Sequence, residues 1–149
     1  MNDPLDALRL LYREKFGADA AALVPVRADG SSRRIYRLSG AATTAIGVLN
    51  DDAKENQAFL EFSKHFRKEG IPVPEFYAEN SSATAYLEED LGDTTLFKFL
   101  GARRTPAGFP ADVVSAYQDV VRWLPKIQIT AGATIDDKWC YPRKSFDKQ

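Results

Sequence analysis

The sequence predicts an α+β fold in which an antiparallel five-stranded sheet packs against a helix. Between residues 23 and 49, three short β-branched and apolar runs are separated by turns at 28–32 and 39–42. Strands joined by tight turns pair antiparallel. The segments on either side, 5–16 and 53–69, carry apolar residues at helical spacing. The predicted strands are Leu23–Arg27, Arg33–Leu38, Thr43–Leu49, Phe76–Ala78 and Ala83–Leu87.

The predicted helices have clear start and stop signals. Asp3 and Pro4 suit the beginning of the first helix, and Gly17 its end. Phenylalanines 59, 62 and 66 are expected to form the buried stripe of the second helix. Residues 101–110 combine glycines, prolines and a basic pair and are expected to be a linker. The predicted helices are Asn2–Gly17, Ala53–Glu69, Leu96–Leu100 and Asp112–Gln128.

Composition excludes several classes of function. A net charge of −1 over 149 residues gives no general attraction to nucleic acid or to an anionic membrane. No apolar run approaches transmembrane length. A single cysteine, Cys140, cannot form an intramolecular disulfide and favours a reducing, cytoplasmic setting. One histidine, His65, is too few for a zinc site.

The turn at 28–32 is a candidate anion site. Gly30 permits a backbone in which several N–H groups converge on an anion, and the neighbouring Arg33 and Arg34 can bind phosphate bidentately. The competing interpretation is an ordinary hairpin turn, because neither the dinucleotide nor the P-loop glycine motif is present.

Glu55 is the second candidate. It precedes Phe59 by four residues and therefore shares the face of the helix that is expected to be buried. An inward carboxylate needs a cationic partner, because burying it alone is costly. Alternatively, Glu55 only complements the positive end of the helix dipole.

Three segments in order resemble the aminoglycoside phosphotransferase and choline kinase superfamily, and most closely its bacterial sugar-kinase-like branch. They are Asp29–Leu38, Gly70–Glu75 and Leu87–Asp93, and the resemblance covers roughly residues 20 to 130. It implies an N-terminal helix at 1–20 and a kinase-like small lobe at 21–92. Residues 93–149 would form a hinge helix, a linker and the first helices of a truncated large lobe.

The resemblance also implies roles for individual residues in binding ATP. Glu55 would hold a phosphate-binding cation, while the Glu88 carbonyl and the Asp90 N–H would bond the adenine. The Mg²⁺ ligands would belong to the missing large lobe. The loop lying over the phosphates would contain Asp29, Gly30, Ser31 and Ser32.

The expected third strand has no lysine, although such kinases carry one there for the α and β phosphates. Pairing the second and third predicted strands across the 39–42 turn places Arg34 opposite Val48. We therefore expect Arg34 to supply the missing charge and to pair with Glu55. A one-residue slip of register would offer Arg33 instead, and Lys54 is less favoured because it lies beside Glu55 in the helix.

The resemblance places every catalytic residue in the large lobe, so no catalytic residue is assigned to this chain. The only histidine, His65, excludes an HxD-type loop, and the Asp136–Asp137 pair is expected to be a solvated turn. The chain is thus expected to be the inactive, ATP-binding N-terminal portion of a kinase that phosphorylates a hydroxyl of a small molecule, such as a sugar or amino sugar. The alternative is a non-catalytic regulatory or interaction module.

Two further expectations concern partners. An anion- or RNA-binding domain that uses Arg33, Arg34 and Arg37 is opposed by the acidic balance of the chain. The apolar stripe from Val113 to Leu124 predicts that the chain self-associates through the 112–128 helix, or that this helix folds back on the sheet.

Overall fold

A computed structural model of the protein describes residues 3–26, 32–41 and 43–145. Its five strands form one antiparallel sheet in the order β1-β2-β3-β5-β4, which confirms the predicted α+β class and the five-stranded antiparallel sheet. A π-helical segment, Lys126–Ala131, and two short 3-10 turns follow the last helix. The main elements are α1 Pro4–Phe16, β1 Ala22–Val26, β2 Arg34–Ser39, β3 Thr44–Leu49, α2 Ala53–Lys68, β4 Phe76–Glu79, β5 Ala85–Glu89, α3 Leu96–Arg103 and α4 Ala111–Pro125.

Helix α1 begins and ends where the sequence predicts. The Asp3 carboxylate accepts the Leu5 N–H at 3.0 Å, and Pro4 occupies the first turn, where no intrahelical donor is needed. Gly17 adopts a φ of 72°, a left-handed conformation that glycine reaches without strain.

One face of the sheet is covered by α1, and we call it the α1 face. Gly47 of β3 allows the close approach, since a Cβ built there would lie 2.6 Å from Leu38 Cδ1 and 2.9 Å from Leu8 Cδ1. The Tyr12 hydroxyl donates to the Thr43 carbonyl at 2.8 Å. The buried residues on this side are Leu8, Leu11, Tyr12, Leu38, Ala45, Leu49, Ala85 and Leu87.

Helix α2 covers part of the opposite side, the α2 face, around Val48, Leu60 and Tyr86. The predicted phenylalanine stripe is only partly correct. Phe59 stacks on Tyr86 with ring centroids 5.7 Å apart, but all three phenylalanines are half-buried. The buried residues of α2 are Asn56, Ala58 and Leu60, so the fully buried positions of the helix are not those of the predicted stripe, and one of them is an asparagine.

The β2–β3 register differs by one residue from the register predicted. Ser39 pairs with Thr44, so Arg34 lies opposite Leu49 and Ile35 opposite Val48. Beyond this pair, the Gly40 N–H donates to the Thr43 carbonyl at 3.0 Å. Because Ser39 stays in the strand instead of opening the turn, every pairing moves by one residue.

Strand β5 begins two residues later than predicted. The Asn80 side-chain oxygen accepts N–H groups from Thr84 and Ala85, and Ala83 has a positive φ of 56°, so the β4–β5 turn extends through Thr84. The strand then continues through Glu88 and Glu89, two charged residues that were expected in a connector.

The C-terminal helices differ from expectation as well. Helix α3 continues through Gly101 to Arg103, a stretch predicted to be a linker. Helix α4 ends at Pro125, and its principal contacts are with α3 and the π-helical segment, so it does not fold back on the sheet. Val113 is buried, whereas Tyr117, Val120, Val121 and Leu124 remain exposed. Across the described ranges, every helix is too short or too polar to cross a bilayer.

Candidate functional site

Strand alternation decides which charged residues share the α2 face. Successive residues of a strand point to opposite sides, so Arg33, Ile35 and Arg37 lie on the α2 face while Arg34 and Tyr36 do not. The candidate site is therefore built from Arg33 at the start of β2 and from the first turn of α2, which follows β3 directly.

Arg33, and not Arg34, pairs with Glu55. The Arg33 Nη2 lies 3.0 Å from the Glu55 Oε1, and the arginine side chain is 19% exposed. The side chain of Arg34 is exposed at the end of β2. The prediction that Arg34 makes this pair is wrong, because it depended on a register that is off by one; the alternative register, which offered Arg33, is the one found.

The Glu55 carboxylate is oriented by its surroundings as well as by its charge. Its Oε2 accepts a hydrogen bond from Asn50 Nδ2 at 2.9 Å, while its backbone N–H donates to the Asp52 side chain, the cap of α2. Glu55 thus faces Arg33 from one side and Asn50 from the other. The carboxylate is directed at Arg33 and Asn50, as its spacing predicted, but the side chain is 40% exposed and so lies at the edge of the buried face. A role limited to the helix dipole does not account for these contacts.

Asn56 holds this corner together from inside. Its amide donates to the carbonyls of Asn50 and Ala83, at 3.1 and 2.7 Å, and its oxygen accepts from Asn50 Nδ2 at 3.2 Å. The side chain is fully buried. It joins the end of β3, the first turn of α2 and the β4–β5 turn, and so fixes where the Glu55 carboxylate lies relative to the sheet.

The Arg33 guanidinium also rests on an aromatic surface. Its Cζ lies 5.0 Å from the centroid of the Phe59 ring, which itself stacks on Tyr86. A guanidinium held between a carboxylate and a ring face keeps a defined plane. This arrangement fixes the guanidinium beside the Glu55 carboxylate on the α2 face.

Glu88 lies on the same face, opposite Ile46 of β3 and Phe76 of β4. Desolvation among these neighbours raises the pKa of its carboxyl to about 7, against the smaller opposing effect of the Arg33 charge. The carboxyl therefore changes protonation near neutral pH, beside the Arg33–Glu55 pair.

The backbone N–H and C=O groups of Glu88 point toward β3. The Glu89 N–H donates to the Glu75 carbonyl on the β4 side, and the Thr84 carbonyl accepts from the Asn50 N–H at the end of β3. Backbone groups alternate along an antiparallel strand, so those of Glu88 point to β3, where Ile46 is its partner. What Glu88 presents to the α2 face is its carboxyl group, rather than the carbonyl that the resemblance places against adenine.

The pKa of Glu88 predicts how stability depends on pH. Below pH 4.5 the carboxyl is neutral in both folded and unfolded chains; between 4.5 and about 7 the folded chain keeps the proton that the unfolded chain loses, so stability falls as pH rises. We expect Glu88→Gln to be more stable than wild type at pH 8 by roughly 3 kcal/mol and nearly equal to it at pH 4, measured by urea unfolding. Glu79→Gln, on exposed β4 surface, should show neither effect. An unchanged pH profile in Glu88→Gln would contradict the assignment.

Asp90, the first residue after β5, is engaged through its side chain. Arg37 of β2 donates to both of its carboxylate oxygens, at 2.7 and 2.9 Å, and also to both oxygens of Asp93, at 3.0 and 2.9 Å. These bonds lower the pKa of both carboxyls. The Arg37 clamp, as we call Arg37 with Asp90 and Asp93, ties the connector after the sheet to β2.

The predicted phosphate loop is only partly visible. Asp29, Gly30 and Ser31 lie outside the described residues. Ser32 forms an exposed bend immediately before Arg33. The structure therefore brings Arg33, Glu55 and Glu88 to one face and places Asp90 at its edge, next to Arg37.

The sequence analysis did not assign three residues of this site: Arg37, Asn50 and Asn56. Alternation along β2 could have placed Arg37 on the same side as Arg33. For Asn56, the available signal is its position three residues before Phe59, which places it on the same face of α2. Asn50 lies in the connection between β3 and α2, where helical spacing gives no signal.

No metal centre forms among the described residues: they contain no cluster of three or more histidine, cysteine or acidic side chains suited to a cation. Asp136 caps the turn at Lys138 and forms an ion pair with that lysine. An apolar groove of about 680 Å³ on α3 and α4 is a separate feature that does not include Arg33, Glu55 or Glu88.

No protein-family model matches the chain, and no curated protein matches it.

Proposed function

We propose that the chain is the ATP-binding N-terminal portion of a small-molecule kinase, a cytoplasmic phosphotransferase that moves the γ-phosphate of ATP to a hydroxyl, such as that of a sugar or amino sugar. The observation that carries this proposal is the Arg33–Glu55 pair. A helix that follows the third strand of an antiparallel sheet directs a carboxylate at Arg33, which comes immediately after the candidate glycine turn in the sequence.

The pair has the physical properties that a phosphate site needs. Glu55 holds the guanidinium, Asn50 holds Glu55 and Asn56 holds Asn50, so the charge is positioned before a ligand arrives. Arginine binds phosphate with two parallel hydrogen bonds. In this proposal Arg33 takes the place of the third-strand lysine that the resemblance calls for.

In this proposal, the residues that catalyse phosphoryl transfer belong to the large lobe that the resemblance implies. Phosphoryl transfer requires metal ions and a residue that orients the nucleophile, and the described residues offer no acidic cluster for a metal. Mg²⁺ would be held by the large lobe that the resemblance implies, and this chain would bind nucleotide weakly and hydrolyse none of it.

Nucleotide titration tests the proposal. We expect the wild-type chain to bind Mg-ATP in isothermal titration calorimetry, and Arg33→Met to weaken that binding by about tenfold or more. Arg34→Met removes the same charge one residue along, from an exposed position on the other face, and should change affinity by less than about twofold.

Two results would reject it. A wild-type chain with no heat of binding at millimolar Mg-ATP would remove the nucleotide assignment. Equal losses in Arg33→Met and Arg34→Met would show that only general positive charge matters, and would leave the ion pair without a special role.

One observation favours a second candidate, a non-catalytic regulatory or interaction module with this fold. Val48, where the resemblance calls for lysine, is 2% exposed and packs with Leu60 and Tyr86. An apolar residue there strengthens the core and provides no phosphate contact. This module would keep its fold and show no nucleotide dependence in thermal unfolding.

A further inference from the structure

An exposed apolar surface lies far along the chain from the Arg33–Glu55 pair. It is a groove of about 680 Å³ between α3 and α4, which we call the α4 groove. Val113 is buried at its base, while Phe109 and Val121 are each 60% exposed at its walls. Its lining residues are Leu100, Phe109, Val113, Val114, Tyr117, Gln118, Val121 and Arg122.

We infer that the α4 groove is the contact surface for a second copy of this chain, in a weak two-fold dimer. The first argument is the spacing along α4. Val114, Tyr117, Val121 and Leu124 are separated by three, four and three residues and are all exposed. This is the spacing of a helix seam that packs against another helix.

The second argument is charge. Helix α4 contains three charged residues, and each is already paired within the chain: Asp112 with Arg103 at 3.1 Å, and Asp119 with Arg122 at 2.6 Å. The helix therefore offers no unpaired charge to select an acidic or a basic partner. A surface that meets its own copy must avoid a net charge of one sign at its centre, and this one does.

The third argument is area. Half-exposed branched and aromatic side chains of the kind found on α4 and at Phe109 offer roughly 500 Å² of apolar surface per copy, so a symmetric pair would bury about 1,000 Å². That is near the lower limit for a specific interface, so we expect the dimer to be weak and to dissociate on dilution.

Sedimentation equilibrium of the 149-residue chain tests the inference. Between about 5 and about 500 μM, the weight-average mass should rise from 16.6 kDa toward twice that value. Val121→Glu puts a carboxylate at the centre of the seam and should keep the chain monomeric throughout. Ser115→Glu adds the same charge at an exposed position of the same helix away from the seam and should dimerise like wild type.

A chemical cross-link provides an independent readout. In a Cys140→Ser background, Gln118→Cys places a thiol at the middle of the groove edge, and oxidation should give a disulfide-linked dimer that Val121→Glu abolishes. Circular dichroism of each variant checks that the fold is intact.

Three outcomes would overturn the inference. They are a monomer across the whole concentration range, a Val121→Glu variant that dimerises like wild type, and open-ended oligomers in place of a dimer. A monomer whose groove nevertheless binds an apolar dye would assign the surface to a different partner.

Discussion

Replacing Asn56 with alanine should destabilise the protein by about 3–4 kcal/mol, a large part of the roughly 5–15 kcal/mol that holds a domain of this size together. The side chain is 0% exposed and makes three hydrogen bonds. Alanine would leave the carbonyls of Asn50 and Ala83 buried without these donors, and each such group costs about 1–3 kcal/mol.

Urea unfolding followed by circular dichroism measures the loss. Gln57→Ala is the matched control, because Gln57 is exposed at the next position of the same helix turn and should change stability by less than about 0.5 kcal/mol. Equal effects of the two substitutions would mean that Asn56 contributes only helix propensity. If the position of the Glu55 carboxylate depends on Asn56, Asn56→Ala should also weaken Mg-ATP binding, as Arg33→Met does.

Replacing Arg37 with methionine should cost about 2–4 kcal/mol, because the Arg37 clamp loses its only cation. Arg37 donates four hydrogen bonds, and the Asp90 side chain that receives two of them is 7% exposed. Methionine keeps the apolar stem, so the loss reports on the charge and on a carboxylate left unpaired.

The clamp also has a signature in pH. Arg37 lowers the pKa of Asp90 below 3.8, so its stabilisation is complete above that value and is lost as pH falls through the folded-state pKa. Wild type should therefore lose its advantage over Arg37→Met in strong acid. Arg34→Met should be nearly neutral, and adding Asp90→Asn to Arg37→Met should recover part of the loss. A double variant no more stable than Arg37→Met would contradict the charge-based account.

Elements whose ends are set by capping or turn residues were predictable from the sequence. Elements defined by long-range strand pairing were predictable only in part. Helix α1 begins at Asp3 and ends at Gly17 because a cap and a glycine specify both ends. Strand β5 was predicted two residues too early, because the Asn80 side chain extends the turn through bonds that a propensity pattern does not contain.

The candidate site shows the same division. The inward face of Glu55 followed from helical spacing, which is a local property. Its partner depended on whether Ser39 belongs to a strand or to a turn, and that single residue exchanged Arg34 for Arg33. Asn56 could not be predicted, since its partners come from segments separated by up to 27 residues in the chain.

Helix α1 is fixed to the sheet at two places. One is the β2–β3 hairpin, where Gly40 and Thr43 are hydrogen-bonded, and the other is the tight packing over Gly47. Leu8 presses on β3 with no space for even a methyl group, and Tyr12 closes over the β2–β3 hairpin through the Thr43 carbonyl. Helix α1 is therefore part of the hydrophobic core on this side of the sheet. Removing it would expose the apolar side chains of three strands to water. A truncated protein that begins after residue 17 would therefore have a destabilised sheet, and this sheet is what positions the Arg33–Glu55 pair.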